Sequence, residues 1–184
     1  MPPKIKINEK MILDAAFDIV RNDCIEKMSA RTISERLKCS TQPIFYHFSS
    51  IKEIKKSVYE KADMYHSEYI MPKGTENLSP LMELGLNYIK FGYEEKELFK
   101  FLFQTNQLSG YSLDELIDST ELSEILQMVS MGTACDEARA KELLMNLFIV
   151  AHGCASLLAN NVIDYEKTKF EKILKNVLNN FVQS

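Results

Sequence analysis

The sequence predicts an all-α fold, and three observations support this prediction. Apolar residues recur at spacings of three and four along most of the 184 residues, which is the period of a helix. No segment shows the alternation of a strand ladder. Only six glycines and five prolines interrupt the chain, and an apolar content of 46% suits a helical globular protein. We expect about nine helices, arranged as an N-terminal three-helix bundle and a larger C-terminal body.

Three short helices are predicted before residue 49. The first runs from Asn8, a capping residue, to Asp23, and one side of it is apolar. The second, residues 30–37, follows Ser29, and the third begins at residue 40 or 41, with Ser40 as its expected cap. It closes on Phe45, Tyr46, His47 and Phe48. A cap, two turns of helix, a short turn and a second cap form a helix-turn-helix, whose second helix enters the major groove of DNA.

The fourth helix is predicted to begin with a capping box. Ser50 and Glu53 would satisfy each other's amides there, and the helix would continue to Ile70. Residues 72–74, with sequence Pro-Lys-Gly, then break the chain. A serine and a proline at positions 79 and 80 restart it as a fifth helix, with serine as the cap and proline in the first turn.

The rest of the chain is also predicted to be helical. A short sixth helix follows through residues 98–103, and a loop occupies residues 107–110. Shorter pieces are expected within residues 112–131. Two long helices complete the chain, at about residues 135–160 and 164–182.

Charge is distributed unevenly along the chain. The formal net charge is −4, yet residues 1–56 hold eleven Lys and Arg against seven Asp and Glu. The remaining residues, 57–184, hold eleven against nineteen. A basic head on an acidic body fits phosphate binding by the head alone, although solvated helix faces could produce the same asymmetry.

The cysteines and the hydropathy indicate the compartment. Cys24, Cys39, Cys135 and Cys154 show no metal-ligand spacing, so we expect buried reduced thiols and neither a metal nor a cofactor. A redox sensor at Cys39 is the alternative. No run approaches the roughly 18 apolar residues of a membrane span, and the charged N-terminus is not a signal peptide. These observations predict a cytoplasmic protein with no membrane partner.

Several residues of the helix-turn-helix segment coincide with a family signature. They are Ile33, Leu37, Cys39, Ser40, Phe45, His47, Phe48, Glu53 and Ile54. Together they resemble the N-terminal signature of the tetracycline-repressor (TetR) family, r-x-I-A-x-x-l-G-V-S followed by Y-x-H-F-x-x-K-e-e-L. The resemblance implies a helix-turn-helix DNA-binding domain over residues 1–54. It also implies a helical ligand-binding and dimerisation domain over residues 55–184.

Four positions depart from that signature. Ser34 replaces alanine, Lys38 replaces the turn glycine, Phe45 replaces tyrosine, and Ile51 replaces the lysine that opens helix 4. A left-handed conformation at Lys38 would cost roughly 1–2 kcal/mol relative to glycine. The phosphate contacts of the family tyrosine and lysine would pass to the neighbouring Tyr46 and Lys52.

The first turn of the third helix is expected to read DNA bases, since base-edge contacts carry sequence information whereas phosphate contacts fix position. This turn supplies Ser40, Thr41, Gln42 and Pro43. Gln42 could pair with adenine, Thr41 could contact a base or a thymine methyl, and Pro43 could offer apolar surface.

Backbone phosphates have four candidate ligands. They are Arg31, Tyr46, His47 and Lys52. Each has an alternative that the sequence leaves open, because His47 could cap or pack the third helix and the cations could be solvated charges. Phe45 and Phe48 are expected in the core of the head.

The body is rich in Met, Phe and Tyr, which could line a cavity. The run from Tyr88 to Phe103, and Phe148-x-x-x-His152-Gly153, resemble the Y-i-x-F and W-x-x-x-H-G motifs of the WHG-type TetR subgroup. This resemblance implies a ligand pocket. Its candidate residues are Tyr88, Phe91, Phe103, Met128, Met145, Phe148 and His152. The alternative is an ordinary core, with His152 satisfied beside a close-packing Gly153.

The last helix carries one broad apolar stripe. Its members are Phe170, Ile173, Leu174, Val177, Leu178 and Phe181. Such a stripe must be buried, either within the chain or, as the resemblance implies, in a four-helix bundle with a second copy. A homodimer predicts a palindromic double-stranded DNA operator. A small, largely apolar effector of unknown identity would enter the body, shift helix 4 and release this repressor.

Two other classes of function compete with this one. An enzyme could use His152 with Cys154, or the acidic residues Asp114, Glu115 and Asp118. His152 and Cys154 point away from each other on a helix, and no base accompanies the acidic residues, so we expect no catalysis. A protein-binding module with this fold and lost DNA binding is the alternative that the signature departures favour.

Overall fold

The computed structural model of the chain describes residues 7–74, 78–105, 126, 127, 130 and 136–183. Over these residues the fold is all-α, as predicted, with no strand and with eight α-helices plus one 3-10 turn. The helices are α1 Glu9–Asn22, α2 Ala30–Leu37, α3 Gln42–His47, α4 Ile51–Ile70, α5 Pro80–Glu94, α6 Lys96–Phe103, α7 Glu137–Ala159 and α8 Lys167–Gln183. The 3-10 turn, Ile25–Lys27, lies between α1 and α2.

The predicted helix boundaries agree with the structure to within about three residues. Asn8 caps α1 through its side chain, which accepts from the Met11 amide, and Ser79 caps α5 by accepting from the Met82 amide. The predicted loop at residues 107–110 lies outside the described residues. Of the pieces expected within residues 112–131, only residues 126, 127 and 130 are described.

The chain divides into two compact units. The first, which we call the head unit, contains the chain up to Tyr65 together with Glu97–Thr105. The second, the body unit, contains His66–Lys96 and the chain from Asn106 onward. Helix α4 contributes residues to both units.

The head unit has one continuous apolar core. Helices α1, α2, α3, α4 and α6 all contribute fully buried side chains to it, because each has one apolar face at helical spacing. The largest of these side chains are Ile12, Ile33, Ile44, Ile54, Leu98, Phe99, Phe101 and Leu102. The rings of Tyr59 on α4 and Phe101 on α6 meet edge to face, with centroids 5.7 Å apart.

The body unit is built on the packing of α5 against α7 and α8. A β-carbon at Gly92 would lie 2.7 Å from both the β-carbon and the carbonyl oxygen of Ala155. The absence of that atom lets the two backbones approach this closely. Glu83 of α5 is buried, and its carboxylate accepts the amides of Lys73 and Gly74 at 3.0 and 3.1 Å, which satisfies its charge.

Gly153 does not pack closely, so the alternative of a close-packing glycine beside His152 was wrong. It is exposed on α7, and a β-carbon there would meet nothing within 4 Å in this chain. The close-packing glycine of the body unit is Gly92 on α5 instead.

Helix α7 is long and apolar enough to cross a membrane by length and composition, which the sequence analysis did not anticipate. Its buried residues, however, face the core of the body unit, and core helices of soluble proteins have the same composition. One such helix is weak evidence for a membrane span.

Replacing Gly92 with Ala should destabilise the protein. The added methyl would meet backbone atoms of α7 that cannot turn aside, so we expect a loss of about 1–3 kcal/mol in the free energy of unfolding. Chemical denaturation measures this loss. Gly153→Ala is the matched control, because it adds the same methyl to open space on a helix, and it should cost nothing. Equal losses in both variants would contradict the packing described here.

Candidate functional site

Helix α2 begins with the expected serine cap. The Thr32 amide donates to the Ser29 hydroxyl oxygen at 3.2 Å, and the Ser29 amide donates to the Thr32 hydroxyl oxygen at 3.0 Å. The two residues therefore form a reciprocal capping box, in which threonine takes the place of the usual Glu or Gln. This fixes the start of α2 and places Arg31 in its first turn.

The turn after α2 is left-handed at Lys38, which has φ 52° and ψ 44°. The Lys38 amide donates to the Glu35 carbonyl at 3.2 Å, and the Cys39 amide donates to the Ser34 carbonyl at 3.0 Å. This pair of bonds is the Schellman arrangement that ends many helices. The conformation costs roughly 1–2 kcal/mol for a residue with a β-carbon.

Helix α3 begins later than expected, and Ser40 does not cap it. The cap position belongs to Thr41, whose carbonyl accepts the Phe45 amide at 3.3 Å. Thr41 already has helical angles (φ −73°, ψ −13°), whereas a side-chain cap needs extended ones, so its hydroxyl makes no capping bond. Ser40 lies in the turn and is exposed. Pro43 occupies the first turn, as expected.

The orientation of α3 is set by two buried residues. Ile44 and Phe48 are both buried, and because they are four residues apart they face the core together. Phe45 is one residue, or about 100°, away from Ile44 and is 50% exposed, so its expected place in the core was wrong. Tyr46 is 84% exposed.

The predicted base-reading residues lie on the open side of α3. Ser40, Thr41 and Gln42 are exposed, and Pro43 is half-buried. A short helix that presents an amide, a hydroxyl and a phenol to solvent can donate and accept hydrogen bonds in a groove.

The predicted phosphate ligands have different local partners. Arg31 is exposed, and its Nε donates to the Glu35 carboxylate at 2.9 Å, which raises the pKa of the guanidinium. The His47 Nε2 lies 3.2 Å from the Ile7 carbonyl oxygen, so α3 is tied to the segment before α1. Lys52 is exposed in the first turn of α4.

The capping box of α4 differs from the predicted one. Ser50 accepts the Glu53 amide at 3.2 Å, as expected. The Glu53 carboxylate, however, reaches back one residue further and accepts the amide and hydroxyl of Ser49 at 2.6 and 2.7 Å. These bonds hold the pKa of the Glu53 carboxyl below its usual value.

The body unit brings four of the seven predicted ligand residues together. The Tyr88 hydroxyl and the His152 Nδ1 lie within hydrogen-bond distance at 2.9 Å. The ring of Phe148 lies 5.7 Å from that of Tyr88 and 5.5 Å from that of His152. Phe91 joins the group through His66, whose ring lies 4.8 Å from Phe91 and 5.3 Å from Tyr88. We call these five residues the aromatic cluster.

The other three predicted ligand residues lie elsewhere. Phe103 belongs to the head unit, where its ring lies 5.1 Å from that of Phe99. Met145 is half-buried on α7, three residues before Phe148. Met128 lies outside the described residues.

His66 is the member of the aromatic cluster that sequence reasoning missed. The signal was present as a repeat of four along α4, in which every member is buried. The repeat is Ile54, Val58, Ala62, His66 and Ile70. A histidine in an otherwise apolar stripe is a buried polar group, and by that criterion His66 was as strong a candidate as His152.

Burial governs protonation within the aromatic cluster. It lowers the pKa of His66 to about 3, with a smaller contribution from the His152 charge, and it lowers the pKa of His152. It also raises the pKa of Tyr88. Both imidazoles are therefore neutral at pH 7, and the Tyr88 hydroxyl and His152 form a neutral polar pair within aromatic surroundings.

A separate half-open cleft of about 420 Å³ lies in the body unit, within the part of the chain that the structure describes. Its walls include Tyr69, Lys73, Leu86, Lys90 and Tyr165. None of the predicted ligand residues lines it. The cleft has both polar and apolar walls, whereas three members of the aromatic cluster (His66, Tyr88 and Phe91) are buried and two (Phe148 and His152) are half-buried.

The cysteines are the remaining reactive side chains. Cys24, Cys39 and Cys154 are free and half-buried, rather than fully buried as expected, and burial raises the pKa of the Cys154 thiol. No group of three His, Cys, Asp or Glu there could hold a metal ion. Cys135 and the acidic residues Asp114, Glu115 and Asp118 lie outside the described residues.

Comparison with known proteins identifies the fold. No family model and no curated protein matches the sequence. Solved structures match the fold over almost the whole chain, among them the following three. A single-residue variant of TetR from Acinetobacter baumannii AYE, in complex with minocycline, is 13% identical over 96% of this chain and 94% of its own, with a TM-score of 0.62.

The other two matches are similar in extent. A TetR-like transcriptional regulator from Rhodococcus sp. RHA1 is 19% identical over 96% of this chain and 95% of its own, with a TM-score of 0.59. The multidrug binding protein EbrR, complexed with imidazole, is 16% identical over 91% of this chain and 93% of its own, with a TM-score of 0.54. At these identities the shared property is the fold.

The buried imidazoles predict acid-sensitive folding. The pKa of His66 is about 3 in the folded chain and near 6.5 in the unfolded chain, so the unfolded state binds the extra proton between these values. The free energy of unfolding should have its full value above pH 6.5 and fall by roughly 1.4 kcal/mol per pH unit as the pH drops toward 3. Denaturant titrations at fixed protein concentration measure this slope.

His66→Phe should flatten that slope, because phenylalanine keeps the ring and removes the titrating group. His47→Gln is the control, since it leaves His66 and His152 in place and should keep the slope. A slope that is unchanged in His66→Phe would contradict the burial of His66.

Proposed function

We propose that this chain is a TetR-type transcriptional regulator, a cytoplasmic repressor that binds a palindromic operator as a homodimer and is released by a small, largely apolar effector. The observation that supports this most directly is the helix-turn-helix itself. Ser29 and the left-handed turn fix α2, and Ile44 and Phe48 fix α3 so that its first turn faces solvent. The match to solved regulator folds agrees with this proposal.

The proposed reading residues are Ser40, Thr41, Gln42 and Pro43. Gln42 offers both a donor and an acceptor, which suits the adenine edge, and Thr41 offers a methyl and a hydroxyl to thymine. All but the half-buried Pro43 are exposed. Residues 1–54 would then serve as the DNA-binding domain, and residues 55–184 as the ligand-binding and dimerisation domain.

The proposed phosphate ligands are Arg31, Tyr46, His47 and Lys52. Tyr46 and Lys52 are exposed and can reach a backbone directly. Arg31 must exchange the Glu35 carboxylate for a phosphate, which is a similar bidentate acceptor. His47 is already held near Ile7, so it would position α3 on the backbone.

The homodimer is proposed to form on the outer faces of α7 and α8. Ile149 and Leu157 on α7 are 48% and 43% exposed, and Ile173 on α8 is also exposed. In the predicted stripe of α8, Phe170 and Leu174 are buried within the chain, and the side chain of Phe181 lies outside the described residues.

The aromatic cluster is the proposed effector site. Tyr88 and His152 supply a polar pair among Phe91, Phe148 and His66, which suits a mostly apolar molecule with one or two polar groups. His66 lies on α4, which also carries residues of the head unit. An effector that displaces His66 would therefore shift α4, and a preference for one state of about 1–3 kcal/mol would change DNA affinity by about 5–150-fold.

Two observations favour a second candidate, a protein-binding module of the same fold without DNA binding. The Arg31 guanidinium is occupied by Glu35, and Ile51 and Phe45 stand where the family has a lysine and a tyrosine. A salt titration distinguishes the two, since a DNA-binding protein loses affinity steeply as salt rises and a protein-binding module has no DNA affinity to lose.

Selection of duplexes from a random-sequence pool should recover a palindrome. Gln42→Ala should cost about 1–3 kcal/mol at one base pair of each half-site, because one side chain reads one base. Lys52→Gln should instead weaken all sequences alike, because phosphates carry no sequence. Fluorescence anisotropy on the selected duplex and its single-base variants measures both.

The same complex reports on the effector. Apolar compounds that bind the wild-type protein should release the duplex, and His152→Ala should lose that response while keeping DNA affinity. If the selection recovers no preferred sequence, the proposed role as a transcriptional regulator is wrong. If DNA affinity is unchanged by every compound that binds, only the proposed release by an effector is wrong.

Leu157→Glu should dissociate the homodimer. Burying a carboxylate at the proposed interface is costly, so the affinity between the two subunits should fall by at least about tenfold. The fold of the single chain should tolerate the change, because Leu157 is exposed there. Sedimentation equilibrium measures this. Met64→Glu is the control, because Met64 is a similarly exposed apolar residue on α4. A wild-type monomer, or a dimer unaffected by Leu157→Glu, would contradict the proposed face.

A further inference from the structure

The turn between α2 and α3 holds a lysine where the backbone favours glycine. Lys38 lies in the left-handed region, which residues with a β-carbon adopt uncommonly. Among the described residues, Asn161 is the one other non-glycine residue in the left-handed region, and asparagine tolerates this conformation well. Glycine or asparagine would satisfy the same backbone bonds with less strain, so the fold gives no reason for a lysine here.

The charge of Lys38 is not paired within the described part of the chain, although Glu35 lies three residues before it. Its side chain is exposed and makes no ion pair there. The two arginines of α2 differ in this respect, since Arg31 contacts Glu35 and Arg36 contacts Asp18 and Asp23 at 4.0 and 3.9 Å. Lys38 is therefore a cation that the head unit leaves open to an external anion.

The position of Lys38 determines which anion this would be. The turn leads through Cys39 and Ser40 directly into the exposed first turn of α3. In helix-turn-helix complexes the second helix lies in the major groove and the first crosses the backbone, so the residues that join them lie beside a phosphate strand. Lysine binds phosphate as a flexible point charge.

We propose that Lys38 binds a DNA backbone phosphate and so adds one contact per subunit to the predicted set. This inference rests on the proposed function, because it assumes that the head binds DNA. On this proposal the side chain of Lys38 contributes to DNA affinity and not to the stability of the fold. Affinity and stability should therefore respond in opposite directions when the side chain is removed.

The test compares four variants on the duplex that the wild-type protein selects and on a scrambled duplex of the same length. Lys38→Gly and Lys38→Asn remove the charge and suit the left-handed backbone, whereas Lys38→Arg keeps the charge. Lys56→Gln is the control, since it removes an exposed cation of α4 that contacts Glu60. Anisotropy titrations across a range of salt concentrations give affinities and slopes, and thermal unfolding gives the Tm.

Lys38→Gly and Lys38→Asn should bind both duplexes about tenfold more weakly at low salt. For a dimer, each should reduce the slope of log affinity against log salt by roughly 1.8, which is two phosphate contacts. Both should keep or raise the Tm, by up to about 4 °C. Lys38→Arg should restore affinity, and Lys56→Gln should change neither property.

Two results would overturn the proposal, and they are distinguishable. If the neutral variants bind with wild-type affinity and slope, Lys38 does not contact the backbone and the proposed function stands. If the wild-type protein selects no duplex and shows no salt-dependent binding, the proposed function fails and this inference fails with it.

Discussion

The burial of one stripe along α4 is the constraint on which most of the structure depends. Ile54, Val58, Ala62, His66 and Ile70 are all buried, and because a repeat of four drifts by about 40° per step, the buried stripe winds around this helix of twenty residues. The first three lie in the head unit and the last two in the body unit. Each unit therefore holds its own part of α4 by burying it.

A second constraint acts on a much smaller scale in α3. This helix has six residues, too few to be stable alone, so its position depends on tertiary packing. Ile44 and Phe48 supply that packing, and the bond between His47 and the Ile7 carbonyl adds a second attachment. The exposed residues around them are consequently free to vary without loss of the fold, which is what a surface that discriminates between DNA sequences requires.

Much of the fold follows from local patterns in the sequence. Helical spacing and capping residues located every helix of the described chain, because these signals act within a few residues. Patterns failed where the outcome depends on contacts. Ser40 is a good cap by type, but it lies in the turn that follows Lys38; Phe45 looks like core, but Ile44 and Phe48 face inward. His66 and Gly92 matter through neighbours that are distant in the sequence.

The contact of Gly92 with Ala155 has a consequence for motion within the body unit. The two backbones meet here with only the Ala155 methyl group beside the contact, so we expect α5 and α7 to move together. Tyr88 and His152 lie on those two helices, so joint movement would preserve the contact between them. A molecule bound beside them would then displace α4, because α4 carries His66, the one member of the aromatic cluster that lies on neither α5 nor α7.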